Sequence, residues 1–432
     1  MLRPTSPTRL VLLLGIAVAS ACSSGSTTTA PPAAAATISA LASQVSAGCS
    51  ASMVPDTPVV VVKDAGGSPV GGASVTFAVA SGGGTLSATS RTTNAQGRAG
   101  VAWTLGSTGI QTVTATSGSL TPVTFSATST GSGPFCIELI YTATPDPLLR
   151  VAADSAAVRW SRIIKSTMST EVVSQVNLTC AGITGITMTN KSVQGLLIYM
   201  QLAPITSTTP GLITLGSSGP CLVRSANGLT VVGGMRLNSD YLLNKLSALQ
   251  RTDVVLHEMG HSLGFGTLWS GVPSIPALPV LLAGSDTVSR HGNQTFTGAA
   301  ALQQYKALGA SSSVSAVPVE NCGGGGTLNG HWREDAGASA GFGTELMTGY
   351  ISAPAGQKNP LSKLTIASMK DMGYVVDSTQ ADPYTLNNQT CPAPLLYAPP
   401  SSVVIGTTVV DEQLYRPTHV VRGGVVEPII RK

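Results

Sequence analysis

Val254–Trp269 reads VVLHEMGHSLGFGTLW. It carries two of the chain's five histidines, and Glu258 follows the first of them. The longer run Asn238–Gly264 is largely helical in pattern, with Ser239 or Asp240 able to cap its start and Thr252 or Asp253 able to restart it. Residues four apart share one face of a helix, so His257 and His261 can turn both imidazoles toward one metal ion. Glu258 then points beside that ion, where a general base takes a proton from water. Gly264 comes three residues after His261 and can end the helix in a left-handed turn. The plain alternative is an amphipathic core helix whose histidines only hydrogen-bond. Catalytic zinc sites usually take three protein ligands, so the remaining histidines decide between the two.

Three are left: His291, His331 and His419. His291 sits in SRHGNQ, a polar turn that reads as surface, and His419 lies near the C-terminus with no supporting pattern. His331 lies in GGGGTLNGHWRED, and GTELMTGY follows. A glycine-rich loop delivering a histidine, followed by a methionine turn, completes a pattern. HEMGHSLGFGTLW, GHWRE, ELMTGYISA and LSKLTIASMKDMGYVVD together resemble the leishmanolysin family of metallopeptidases, of the bacterial secreted kind, over about residues 135–380. Leishmanolysins are metzincins with a long insertion before the third histidine. Thr267 stands where other metzincins have that histidine, and His331 follows His261 by 70 residues. The resemblance implies His257, His261 and His331 as ligands of one Zn2+, and Glu258 as catalytic base. It also implies Gly264 at the helix-ending turn and Met347 beneath the metal.

Other residues take plainer readings. Trp269 and Trp332 read as core or rim. Glu345 is either an orienter of a ligand histidine or a solvated acid. Tyr350 is a packing residue, with a transition-state hydrogen bond as the alternative. LTIASMKDMGY has helical spacing at Leu364, Ile366, Met369 and Met372 and reads as a core helix.

The N-terminus carries a processing signal over residues 1–21: Arg3 and Arg9, then the apolar run Leu10–Ala19. VASAC, Val18–Cys22, resembles a bacterial lipobox, which implies lipidation of Cys22 and attachment to a membrane. Residues 22–37, with SSGSTTTAPPAAAA, read as a flexible tether. The chain has seven cysteines. With Cys22 set aside the count is even, which favours disulfides in an exported protein. Cys180–Cys221 and Cys322–Cys391 are the expected pairs, among about 15 connectivities that six cysteines allow.

Residues 38–130 read as a β-domain. Val75, Phe77 and Val79 alternate with Thr76 and Ala78, and turn signals recur. Phe77 and Trp103 are its core anchors. The order V.V.D..G.PV.G..V.F.V, then WTLG and QTVTAT, resembles the bacterial Ig-like domains of the invasin and intimin type, which implies a spacer or adhesive module. STGSGP, Ser129–Pro134, reads as a linker. Residues 131–391 then mix strands (FCIELIY, GLLIYMQLAPI) with helices (LLRVAADSAAVRWSRIIKS and the histidine helix). Residues 392–432 read as an extended tail. The expected architecture is therefore multidomain: an all-β Ig-like sandwich followed by an α+β zincin, metzincin-like catalytic domain. Only 10% of residues are charged and the net charge is +4, with no basic block, so no nucleic-acid partner is expected. The expected function is a zinc endopeptidase acting on proteins or peptides, exported and lipid-anchored at a bacterial outer membrane or cell surface. The alternative is a surface adhesin or binding protein with an inactive zincin domain.

Overall fold

The computed structural model describes residues 34–41, 47–49, 54, 58–106, 109–129, 134–143, 145–206, 213–284, 294–321, 327–334, 341–350, 357–388 and 413–429. Cys22, His291, Cys322 and Cys391 lie outside them. So do residues 1–33 and 389–412, which hold the signal, most of the tether and the first part of the tail.

The described chain before residue 130 is strand and turn. Ser74–Ser81 illustrates the cause: Val75 and Phe77 point inward while Ser74, Thr76 and Ala78 stay exposed, the two-residue period of a half-buried strand. One sheet holds Thr37–Ala40, Val59–Lys63 and Arg98–Gly100. A second runs Ser90–Thr92, Ser74–Ser81, Gly109–Thr116, Val123–Ser129 in spatial order. Val60 and Val62 from the first sheet and Phe77, Val113 and Phe125 from the second share one core with Trp103. Two sheets around one core make a β-sandwich.

The sandwich is stitched to the rest of the chain. The two-residue strand Ala47–Gly48 pairs with Thr128–Ser129 on one side and, through Ala47, with Leu139 on the other. Cys49 and Cys136 form a disulfide across this junction, with Cα atoms 5.7 Å apart. Thr128 Oγ1 donates to Asp154 at 2.8 Å, and the Arg150 guanidinium donates to the Ser126 carbonyl. Ser129, expected to open a linker, is instead a buried strand residue.

After the junction the elements are β1 (Ile137–Tyr141), α1 (Pro147–Ile163), β2 (Glu171–Cys180), β3 (Ile183–Val193), β4 (Leu196–Ala203), β5 (Gly216–Arg224), β6 (Thr230–Asn238), α2 (Ser239–Asn244) and α3 (Ala248–Leu263). Next come α4 (Ala299–Ala307) and α5 (Lys363–Asp371), then β7 (Gln413–Leu414), β8 (His419–Arg422) and β9 (Val425–Pro428). The sheet order is β9-β8-β5-β6-β4-β1. β1, β4 and β6 are parallel, and β5 runs antiparallel to β6.

Helices cover one face of this sheet. Asp146 caps α1 by accepting from Leu148 N–H at 2.8 Å, with Pro147 in the first turn. Leu149, Ala152, Ala156, Trp160 and Ile163 line its buried stripe, as their spacing predicts. Trp160 reaches α3, its indole N–H donating to the Leu256 carbonyl at 2.9 Å. The opposite face is covered by the β2–β3 hairpin, whose Val173, Leu178 and Ile186 share a core with Leu197, Leu222 and Val231. The expected disulfide Cys180–Cys221 pins that hairpin to β5.

The helical run breaks elsewhere than its sequence suggests. Asn238 caps α2, and Ser247 caps α3 in a reciprocal pair with Gln250. Thr252 and Asp253 lie inside α3. Thr252 Oγ1 bonds back to the Ala248 carbonyl at 3.0 Å, which leaves the helix unbroken.

Candidate metal centre

α3 delivers two of the three imidazoles. The Nε2 atoms of His257 and His261 are 3.0 Å apart, one helical turn separating them. α3 then stops at Gly264, whose φ is 117°. A Cβ at Gly264 would fall 2.5 Å from Leu268 Cδ1 and 2.7 Å from Met372 Cε, so both conformation and space demand glycine there. Thr267 Oγ1 donates to the His261 carbonyl at 3.1 Å, so this residue finishes the helix end.

His331 arrives from a separate loop. Its Nε2 lies 3.1 Å from that of His257 and 3.0 Å from that of His261. Gly330 packs directly on Gly266, where a Cβ would meet the Gly330 carbonyl oxygen at 2.2 Å. Two glycines in contact thus let the loop approach the end of α3. Behind the imidazoles, Phe265, Trp269, Phe296, Trp332 and Phe342 form a buried aromatic cluster. Trp269 and Trp332 are core residues, not rim.

Hydrogen bonds orient each ring of the triad. Each Nδ1 faces a backbone carbonyl: His257 to Leu346 at 2.7 Å, His261 to Phe265 at 2.8 Å, His331 to Thr327 at 2.9 Å. A carbonyl can only accept, so each Nδ1 carries the donated proton. In the neutral ring Nε2 then presents a lone pair. Three such lone pairs converge in a triangle with edges of 3.0–3.1 Å. Acceptors crowded this way repel one another unless a cation sits between them. Tetrahedral zinc with Zn–N near 2.05 Å would need edges of about 3.3 Å, so the donor set and its spacing suit such an ion. His261 and His331 are buried and His257 is half-buried.

Met347 lies under α3: a Cβ at Gly260 would meet its Cε at 3.0 Å and its Sδ at 3.1 Å. The preceding residue, Leu346, supplies the carbonyl that orients His257. Glu345 is fully buried and touches no ligand histidine among its hydrogen bonds. It accepts from Met347 N–H, Ser362 N–H, Ser362 Oγ and Thr365 Oγ1 at 2.6–2.9 Å. The solvated reading is therefore wrong: Glu345 ties the methionine turn to the start of α5. Burial pushes its carboxyl up, and these four donors oppose that. Tyr350 is buried, and Glu320 and Glu334 add to burial in pushing its phenol up.

Glu258 is buried against β5. Its Oε2 accepts from Ser218 Oγ at 2.7 Å, and the same hydroxyl lies 2.7 Å from the Glu258 main-chain oxygen. Gly216 gives the carboxylate room, since a Cβ there would fall 2.1 Å from Glu258 Oε1. Neither Gly216 nor Ser218 is apparent as a site residue in sequence. The signal is the run GSSGP, small residues inside a buried strand. His419 lies on β8 opposite Leu222, away from the triad, and among the described residues the triad is the one cluster suited to a metal.

No curated protein matches the chain. Among solved structures, it is similar to the D00–D0 domain of intimin (29% identity, 20% of this chain and 41% of that one, TM-score 0.18) and to the D0–D1 domain of intimin (25%, 20% and 43%, TM-score 0.17). Domains 4 and 5 of the S-layer protein SbsC also match, at 20% identity over 23% of this chain and 53% of that one, with TM-score 0.19. The chain thus spans about half or less of the length of each. The sequence profile of the leishmanolysin family, peptidase family M8, matches residues 163–393, just over half of the chain. The matched region contains the whole histidine triad, and the chain belongs to the leishmanolysin family of metallopeptidases.

Proposed function

We propose that the protein is an exported zinc-dependent endopeptidase with a metzincin-like catalytic domain and Glu258 as its general base. The observation that carries this is the convergence of three Nε2 lone pairs, each fixed by an Nδ1–H to carbonyl bond. His257, His261 and His331 would hold the ion. When bound there, zinc acts as a Lewis acid toward a carbonyl and acidifies water.

The chain's own residues supply the rest. Glu258 takes the proton of the attacking water and passes it to the leaving amine. Ser218 Oγ holds one carboxylate oxygen and Gly216 leaves space for the other, so the base is fixed in one rotamer. The Leu346, Phe265 and Thr327 carbonyls hold the imidazoles in the tautomer that binds metal. Met347 and Glu345 support this from below, through the turn that carries the Leu346 carbonyl.

Two disulfides, Cys49–Cys136 and Cys180–Cys221, support export, since such bonds persist outside the reducing cytosol. Among the described residues no helix is long and apolar enough to cross a membrane. We assign membrane attachment to a lipid on Cys22, from the sequence alone. The sandwich then serves as a spacer stitched to the catalytic region.

Zinc content and casein cleavage test the reading together. Glu258→Ala should retain zinc and lose turnover, and His257→Ala should lose both. Full proteolysis by Glu258→Ala would overturn the assignment. Ligand binding that persists in chelator, with no cleavage by the parent protein, would favour the adhesin instead.

A further inference from the structure

β5 has two edges. One pairs with β6 along most of its length. The other edge belongs to the strand whose face seats Glu258, through Gly216 and the Ser218 hydroxyl. Proteins commonly hold extended peptides by adding them as a strand to such an edge. A peptide laid here would pass next to the base.

That edge is filled by the chain itself. Ser217 and Ser218 pair in parallel with Gln413 and Leu414 of β7. Tyr415 N–H donates to the Ser218 carbonyl at 3.2 Å, and the Tyr415 carbonyl lies over Gly219, where a Cβ would meet its oxygen at 2.3 Å. Beyond this, Leu222–Arg224 pair with His419–Val421 of β8. The register slips by one residue between the two patches, at Arg416–Pro417. Pro220 stands on β5 in the same interval, and neither proline has an N–H to give the ladder.

The two patches differ in what anchors them. Val420 enters the core beneath the helices and Val421 the core beneath the β2–β3 hairpin. β8 also closes onto β9. That patch is built into the fold. Among the described residues the patch at Gln413–Tyr415 has two paired residues, and Leu414 and Tyr415 are half-buried. The family profile ends at residue 393, so this occupant comes from outside the region the family shares.

We propose that residues 413–415 occupy, in cis, a peptide-binding edge on β5, and that an extended substrate must displace them to reach Glu258. The proposal rests on the peptidase reading of the site. A tethered segment competes at an effective concentration of about millimolar. The distal hairpin stays in place while the proximal patch exchanges, because Pro417 and Pro220 separate the two.

The test uses the full chain carrying Glu258→Gln, so that nothing is cut, and a fluorescent peptide of residues 409–418 read by anisotropy. Tyr415→Pro removes the N–H given to Ser218. It should bind the peptide roughly tenfold more tightly than the chain with Tyr415 intact, the worth of about one or two hydrogen bonds. Tyr415→Ala keeps the N–H and should give a smaller gain in the same direction, so a misfolded proline variant does not end the test. Equal binding by all three proteins, or binding by none, overturns the proposal. With Glu258 restored, Tyr415→Pro should raise kcat/KM on an extended peptide and leave that on a short peptide blocked at both ends unchanged. Absent hydrolysis with the binding difference intact would refute the peptidase reading and leave the filled edge standing. Normal hydrolysis without the binding difference would refute the filled edge alone.

Discussion

Replacing Gly216 by alanine separates the position of Glu258, the proposed base, from the stability of the fold. The new Cβ would lie 2.1 Å from Glu258 Oε1, 2.5 Å from its Cδ and 2.8 Å from its Cγ. A carbon–oxygen contact needs about 3.2–3.4 Å, so the carboxylate must retreat by roughly 1 Å or more. The colliding atoms end a flexible side chain, so the retreat costs the fold only about 0.5–1.5 kcal/mol of rotamer strain. The same displacement of a catalytic group costs about 10²-fold in rate, or about 2.7 kcal/mol of barrier. No histidine is touched. Steady-state kinetics on a quenched peptide, zinc analysis and a thermal melt read the three quantities in one preparation. The expected result is a kcat down about a hundredfold at full zinc content, with KM little changed. A folded, zinc-loaded variant with kcat within about threefold of the parent, under 1 kcal/mol of barrier, would show that the seat on β5 does not position the base.

Three further outcomes follow from other parts of the structure. Asp253 is buried in α3, and burial pushes its carboxyl up to about 6 from an ordinary 3.8. The folded state therefore holds this proton more tightly than the unfolded chain, and the contribution of Asp253 to stability falls as pH rises from about 4 to 6. Asp253→Asn keeps an acceptor for the Asn359 N–H at 2.7 Å. It should raise stability near pH 7.5 by up to about 2–3 kcal/mol and flatten the pH 4–6 dependence in denaturant titrations. Gly264→Ala should lower stability by at least about 2 kcal/mol, because it combines an αL penalty with overpacking against Leu268 and Met372; an unchanged melting curve would contradict that. Cys22→Ser should move the protein from the detergent-extracted membrane fraction to the soluble one and abolish labelling by fatty acid, and unchanged fractionation would count against the lipid anchor.

What the sequence disclosed and what it hid follow from the range of the interactions. His257 and His261 are legible because a helix repeats locally, and four residues are enough to place both rings on one face. Gly264 is legible for the same reason. His331 is 70 residues beyond His261 and needed the family resemblance, since no local periodicity links a loop to a helix. Gly216 and Ser218 were invisible because their meeting with Glu258 depends on how α3 packs over β5, which no spacing rule encodes. The caps at Asn238 and Ser247 were displaced from the expected residues because several polar residues along that run could serve, and packing chose among them. In sequence Glu345 reads equally as an orienter of a ligand histidine or as a solvated acid. Its actual partners, Ser362 and Thr365, come from an α5 start that only the fold brings near. The stitch between sandwich and catalytic sheet was likewise hidden, because Ala47–Gly48 is too short to register as a strand in sequence.

Zinc K-edge diffraction from crystals of the full chain addresses the triad itself. The account predicts one anomalous peak about 2.0–2.1 Å from the Nε2 atoms of His257, His261 and His331. An ion held by the two helical histidines alone, with the ring of His331 turned away from it, would contradict the account.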